Sequence, residues 1–380
     1  MPINDLSDHD KEVLAAAYLS AQNYTAFQAL AIFRENGIGV TSEPAFGRRV
    51  KEAEDRGWLQ HIVPEELFSP DIMTEIREMT CRRGLEDKLK ALSPRLRSVS
   101  VFYSGSQGTR SEDWDIRLKY HSAFAARKVV RLLEQSQNVG VAWGHQVASI
   151  VSALASIGVK KPLPKIRFIP TSGEPLRGPS SSPERGSTSL VAQLHRRFGN
   201  ESERPLSLAG VAAVISDVFE GPARDAVLRY IHDLGDYRRI FLGTESSEPL
   251  ISQIDTMLAS VGSLDQGWTM YQSELVQTGG IPRERLTELV AGDIAGALVK
   301  TRKRKLSPGE EKEFVKIVES WSGIRITPHL LSIATNAIST GKPGVVVVAI
   351  GKNKATILLE VLKMGLINEL IIDHDLADAL

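Results

Sequence analysis

Apolar residues recur at helical spacing early in the chain and in short continuous runs later, and this change of pattern divides it. Between Asp10 and Leu59, Val13, Leu14, Ala17 and Tyr18 line one face and Phe27, Leu30, Ala31 and Phe33 another, which predicts a compact module of short helices. Gly37 and Gly39 interrupt the pattern. Ser42 then supplies an N-cap, Pro44 lies in the first turn where its missing N–H is harmless, and Gly57 follows the last helical position, so a helix is expected over Glu43 to Arg56. Pro64 and Pro70 punctuate a connector. Ile72, Ile76, Leu85, Leu89 and Leu92 then return to helical spacing with one break at Gly84, which predicts a linker helix.

Beyond Ser98, β-rich runs alternate with helical stretches. Val99 to Tyr103, Val139 to Trp143, Ile166 to Ile169, Arg239 to Leu242, Val345 to Ile350 and Leu370 to Ile372 read as strands, and their spacing points to parallel α/β architecture. The expected division is residues 1–63, a linker over 64–97, and an α/β domain over 98–380. Open parallel sheets bind ligands beyond the carboxyl ends of their strands. The turns Trp143-Gly144-His145-Gln146, Pro170-Thr171-Ser172-Gly173, Gly243-Thr244-Glu245-Ser246 and Gly351-Lys352-Asn353-Lys354 are expected to converge on that rim. Gly178 to Ser189 is too rich in serine, proline and glycine for regular structure and reads as a mobile flap bordered by Thr171, Arg177, Ser187 and Thr188.

Composition narrows the function classes. The 380 residues are 42% hydrophobic, enough for at least one sizeable core, and Lys+Arg and Asp+Glu both total 46, which removes the simplest electrostatic argument for nucleic acid or an anionic membrane. Residues 1–60 hold 6 basic and 9 acidic side chains. The lone cysteine, Cys81, excludes an intrachain disulfide framework and a cysteine-rich zinc site, so a reducing compartment is expected. No signal or transit peptide is recognisable at the start, and the apolar run Val345 to Ile350 is far short of a membrane span, so a cytoplasmic protein without a membrane partner is expected. Walker A, zincin, nucleophile-elbow and dinucleotide motifs are absent, which argues against an enzyme and implies no cofactor or metal.

Several segments together carry a resemblance. GVTSEPAFGRRVKEAEDRGWLQ from Gly39 is followed by RKVVRLLEQSQNVGVAWGHQVASIVSAL, AQLHRRFG, IFLGTESSEP, ELVAGDIAG and VVVVAIGKNKATILLEVLKMGLINELIIDHDLADAL. In this order they resemble SorC-type sugar-responsive transcriptional regulators, across nearly the whole chain. The resemblance implies a helix-turn-helix module followed by a Rossmann-like, mostly parallel-sheet effector domain, similar to glucosamine-6-phosphate deaminase and ribose-phosphate isomerase folds. It also implies DNA as a partner, a carbohydrate or sugar-phosphate effector, and a homodimer or homotetramer.

Within that frame, Ser42, Glu43 and Phe46 stand at the start of the recognition helix, where glutamate can accept from cytosine and an apolar side chain can touch a thymine methyl. Arg48, Arg49 and Lys51 supply phosphate-neutralising cations. A helical module whose cations merely solvate one face is the competing reading. For the effector, the resemblance implies a Gly-x-x-Lys turn that Gly351 and Lys354 match; solvated surface lysines are the alternative. The family's Trp-Gly-Arg-Thr is here Trp143-Gly144-His145-Gln146, which loses a bidentate anion partner and suits sugar hydroxyls or a carboxylate, although His145 also fits a structural cap. Asp293, between small residues, fits ligand contact or a turn aspartate. Thr171, Gly173, Gly243 and Thr244 complete the candidate rim. Lys300 to Lys305 reads as a solvated basic loop, Ser307 with Glu310 as a capping box, and Asp373 as the cap of the last helix. His374, between Asp373 and Asp375, is the nearest approach to an acid–base pair, so an isomerase- or deaminase-like enzyme stays as the alternative, beside a metabolite sensor that does not bind DNA.

Overall fold

A computed structural model describes residues 5–22, 24–59, 68, 72, 76, 79–80, 82–102, 111–156, 166–174, 183–200, 202–213, 221–264, 275–276, 280–302, 304–320 and 326–380. Helices α1 (Asp8–Ala21), α2 (Ala26–Glu35) and α3 (Glu43–Asp55) open the chain. Each begins at a hydroxyl: Ser7, Thr25 and Ser42 accept from the amides of Asp10, Gln28 and Ala45, satisfying a donor the helix cannot. Helix α3 covers the predicted span and ends one residue short of it, with Arg56 as its C-cap. Thr25 forms a reciprocal capping box with Gln28, so Thr25→Ala is expected to cost about 1 kcal/mol, read as a lower urea midpoint.

Val13, Leu14, Ala17, Ile32, Phe33, Phe46 and Ala53 form the core of this module. The predicted second face is only partly correct. Helix α2 buries Ala29, Ile32 and Phe33, leaving Ala31 exposed and Phe27 75% exposed. Of the predicted linker, α4 (Arg83–Leu92) is helical, and Gly84 lies inside its first turn rather than breaking it. Phe68, Ile72 and Ile76 join the module's core, whereas Leu89 joins the main one. Apart from these and Met79 and Thr80, the residues of 60–81, Cys81 among them, lie outside the described residues.

The larger unit alternates strands and helices in chain order. It comprises β1 (Ser98–Phe102), α5 (Ser111–Leu133), β2 (Asn138–Val141), α6 (His145–Ser156), β3 (Arg167–Pro170), α7 (Ser187–Phe198), α8 (Gly221–Asp233), β4 (Thr256–Ala259) and β5 (Val261–Ser263). It continues with α9 (Arg283–Leu289), β6 (Val290–Ile294), β7 (Ala297–Lys300), α10 (Pro308–Ser320), α11 (Ile326–Thr340), β8 (Gly344–Ala349), α12 (Ala355–Lys363), β9 (Glu369–Asp373) and α13 (His374–Asp378). A six-stranded parallel sheet has the order β1-β9-β8-β4-β2-β3, and β5-β6-β7 form a small antiparallel sheet.

Strand alternation builds a core on each face of the large sheet. Val346 and Val348 of β8 face Val129 and Leu133 of α5, Ile150 and Leu154 of α6 and Leu190 of α7, while Val345, Val347 and Ala349 face Leu330 and Ile333 of α11 and Leu358 and Val361 of α12. Helices thus cover both faces of the sheet, and the parallel α/β architecture expected from the sequence is present. One predicted strand is wrong: Arg238–Leu242 is a π-helical turn that buries Ile240 and follows a single helical turn at Gly235–Tyr237. Its apolar, β-prone run packs against the sheet instead of joining it. The flap expectation is also corrected where it can be seen, because α7 already begins at Ser187; residues 178–182, like Arg177, lie outside the described residues. Among the described residues no helix is long and apolar enough to cross a membrane.

Candidate functional site

The carboxyl ends of β2, β4, β8 and β9 meet at one rim, where two side chains join turns that are distant in sequence. Lys354 leaves the short 3-10 turn Lys352–Lys354 after β8, and its ammonium donates to Oε1 of Gln146 in the first turn of α6. The contact spans β4, which lies between β8 and β2. Gln146 is 4% exposed and its Nε2 has no hydrogen-bond partner among the described residues. A buried amide donor left unpaired costs free energy, which marks a place that a ligand oxygen can relieve.

Asp293 comes over this rim on β6, opposite Gly262 of the strand that directly follows β4. It is 6% exposed and accepts the Gly296 amide at 3.2 Å across a two-residue hairpin in which Ala295 and Gly296 both have positive φ. Burial pushes its carboxyl up to about 7. Burial pushes the Lys354 ammonium down to about 8, against the attraction of Asp293 and Asp373. Asp293 is thus a turn aspartate whose carboxyl also acts electrostatically on the rim lysine.

The turn carrying Lys354 is held by a carboxylate below it. Oδ1 of Asp373, at the end of β9, accepts the Gly351 amide at 3.0 Å and the Leu376 amide at 3.1 Å, so the cap reading of Asp373 is only part of its role. Its Oδ2 meets Arg117 of α5 at 2.5 Å, and the same guanidinium reaches Asp375 at 2.5 Å. Gly351 has φ of 89°, and a Cβ there would lie 2.8 Å from Asn353 Oδ1 and 3.1 Å from the Trp114 ring, so glycine is required for the turn. Sequence reasoning missed Arg117. It also missed His121, buried beside Phe102, whose imidazole burial pushes down to about 4 so that it stays neutral beside Asp373. His374 is held down by burial as well, and it pairs with Asp375 at 2.9 Å. Among the described residues no group of histidine, cysteine, aspartate and glutamate side chains is arranged to hold a metal ion.

Other predicted rim residues are placed differently. Thr171 is buried; its hydroxyl donates to the Val141 carbonyl at 3.0 Å and its amide to Ser187 Oγ at 3.0 Å, so it ties β3 to β2. Gly173 is there for space, since a Cβ would lie 2.7 Å from the carbonyls of Val211 and Ala212. Gly243 and Thr244 do not reach the rim: they follow the π-helical turn and lead through Leu250–Gln253 into the amino end of β4. His145 is exposed and lines a cleft of about 380 Å³ between α5, α6 and α7, with Ser149, Ser152, Arg185 and Gln193, whereas its neighbour Gln146 turns inward. The Gly144 amide donates to the Arg185 carbonyl at 3.2 Å.

The second candidate surface is α3. Phe46 is 5% exposed and packs on Phe33 with ring centroids 6.0 Å apart, so it cannot read a base edge. Arg49 pairs with Glu12 of α1 at 2.9 Å and belongs to an ionic seam with Arg56–Asp10 and His9–Glu52 that fastens α3 to α1. Ser42 is committed to its cap. Glu43, Gly47, Arg48 and Lys51 remain on the exposed face. Among the described residues Arg48 has no ion-pair partner, and Lys51 has only surface partners, Glu54 at 3.7 Å and Asp55 at 3.1 Å, which a phosphate can displace.

No family model and no curated protein matches the chain. Solved structures do. A domain of a possible sugar-binding transcriptional regulator from Arthrobacter aurescens TC1 is 17% identical, with 79% of this chain and 97% of that one covered at a TM-score of 0.53. A probable sor operon regulator from Shigella flexneri is 18% identical over 79% of this chain and 99% of that one, at 0.52. The full-length sorbitol operon regulator SorC from Klebsiella pneumoniae is 17% identical and covers 95% of this chain and 96% of that one, at 0.50. The likeness is one of fold, and with the full-length protein it runs through both the helical module and the sheet domain.

Proposed function

We propose that this chain is a transcription regulator of SorC type, which binds DNA through α3 and a carbohydrate effector at the rim. The observation that carries the reading is that one chain holds both a helix face bearing an exposed arginine, Arg48, without an ion-pair partner among the described residues, and a buried, under-satisfied polar rim at the carboxyl ends of a parallel sheet. The fold shared along its length with a full-length operon regulator supports it. Residues 1–63 form the DNA-binding unit, 64–97 the linker and 98–380 the effector domain, and the protein works in the cytoplasm as a homodimer or homotetramer. An acidic first segment gives weak non-specific attraction to DNA, so paired half-sites on an oligomer supply the affinity. The Tyr24 hydroxyl donates to the Val101 carbonyl of β1 at 3.2 Å, and β1 pairs with β9, which ends in Asp373; this gives the rim a physical route to the helical module.

Fluorescence anisotropy with DNA from the region upstream of its own gene tests the reading. Arg48→Ala with Lys51→Ala is expected to weaken binding at least tenfold and to shallow its salt dependence, while Glu43→Ala alters sequence preference. Binding that is indifferent to the double substitution would remove α3 as the DNA-facing helix. A second reading rests on the rim's two groups near neutrality, Asp293 and Lys354, which are suited to acid–base chemistry on a sugar. Turnover of ribose 5-phosphate or glucosamine 6-phosphate would favour it over a pure sensor.

A further inference from the structure

The charge at the rim decides between two kinds of carbohydrate. A phosphate ester carries close to two negative charges and, away from bulk water, needs cations free to meet them. Among the described residues the rim buries two cations, and both are occupied, whereas Lys352 of the same turn is exposed. Arg117 is shared between Asp373 and Asp375, and the Lys354 ammonium is held by Gln146 with the carboxyl of Asp293 nearby. Within the turn, the Gly351 amide is already given to Asp373 and the Lys354 amide to the Gly351 carbonyl at 3.1 Å. Asp373, Asp375 and Asp293 thus stand against these two cations, and a dianion entering the buried part of the rim meets no surplus of positive charge.

Neutral hydroxyls fit the same groups. Gln146 Nε2 is buried without a partner among the described residues and can donate to a hydroxyl oxygen. Ser172 Oγ, at the end of β3, is 6% exposed, unpartnered among the described residues, and able to donate or accept. Asp293 accepts a hydroxyl proton, and Lys354 donates to a hydroxyl oxygen. Both donors and acceptors are present, as a polyol requires. Gln146 also stands where the resemblance implies a threonine, one position after the missing arginine, so the departures in sequence and the charge balance point the same way.

We propose that the rim takes an unphosphorylated sugar or sugar alcohol and discriminates against its phosphate ester. This rests on the reading of the rim as an effector site and names the ligand class. Thermal shift and calorimetry on the full chain provide the test, with D-glucose, D-fructose, D-ribose and D-sorbitol set against their phosphate esters, and inorganic phosphate as the anion control. At least one free compound is expected to raise the thermal midpoint saturably and to bind at least tenfold more tightly than its ester. Gln146→Leu should abolish that preference, and Asp293→Asn, which removes a negative charge, should shift it at least several-fold toward the ester. Each variant's own midpoint without ligand reports that it is folded. An ester that binds more tightly than its parent, or no binding by any free compound, overturns the proposal. Either result leaves the DNA-binding reading standing, because anisotropy without ligand measures that separately.

Discussion

Replacing Arg117 with leucine is expected to destabilise the chain by roughly 3–5 kcal/mol, because it strips the partner from a carboxylate that cannot reach water. Asp373 is fully buried, and Arg117 meets it at 2.5 Å on the side opposite the two amides that occupy Oδ1. The damage should be specific to the charge. Asp373→Asn retains an oxygen for the Gly351 and Leu376 amides, so the double variant Arg117→Leu, Asp373→Asn is expected to recover more than half of the loss. Urea unfolding of the two single variants and the double variant completes the cycle. A cost below about 1 kcal/mol for Arg117→Leu would mean that the pair does not hold the rim together. Since Asp373 fixes the turn that carries Lys354, the same variant should also weaken effector binding.

Asp293→Asn is expected to do the reverse and stabilise the protein above neutral pH. In the folded state its carboxyl is raised to about 7 from an ordinary value of 3.8, so the folded chain holds a proton that the unfolded chain has released. Stability from this group is complete below the ordinary value and is lost as pH rises toward 7. Lys354 acts in the opposite sense and at higher pH: its ammonium is lowered to about 8, so stability from it rises as pH climbs past 8. The advantage of the asparagine variant over wild type should therefore widen by roughly 2–3 kcal/mol between pH 5 and pH 8. Equal pH profiles from urea midpoints would place the Asp293 carboxyl in an ordinary aqueous environment.

The parts legible in the sequence were those written locally. Helix α3 announced itself through Ser42, Pro44 and Gly57, and β8 through an unbroken apolar run that is buried on both faces. Strands β4 to β7 were not foreseen. They are only three to five residues long, β4 pairs with distant strands β2 and β8, and β6 and β7 pair across a hairpin turned by Ala295 and Gly296. Arg238–Leu242 was misread because a β-prone run carries no local sign that a π-helical turn will bury it. At the site, Gln146, Asp293 and Lys354 were each visible singly, but the contact between Lys354 and Gln146 follows from strand order, which places β8 and β2 on either side of β4. Arg117 left no local trace because its partner Asp373 is 256 residues away. Phe46 fits a base reader by its place near the helix start, but that place does not tell which side of the helix faces the core.

Regulation requires the rim and α3 to be coupled, and coupling is a measurable free energy. The most direct measurement is DNA affinity by fluorescence anisotropy, with and without a saturating concentration of the free carbohydrate that gives the largest thermal shift. The expected result is a change in Kd of at least fivefold, lost in Gln146→Leu and mirrored by an equal change in carbohydrate affinity when DNA is bound. DNA affinity that stays the same when the rim is filled would contradict an effector-controlled regulator.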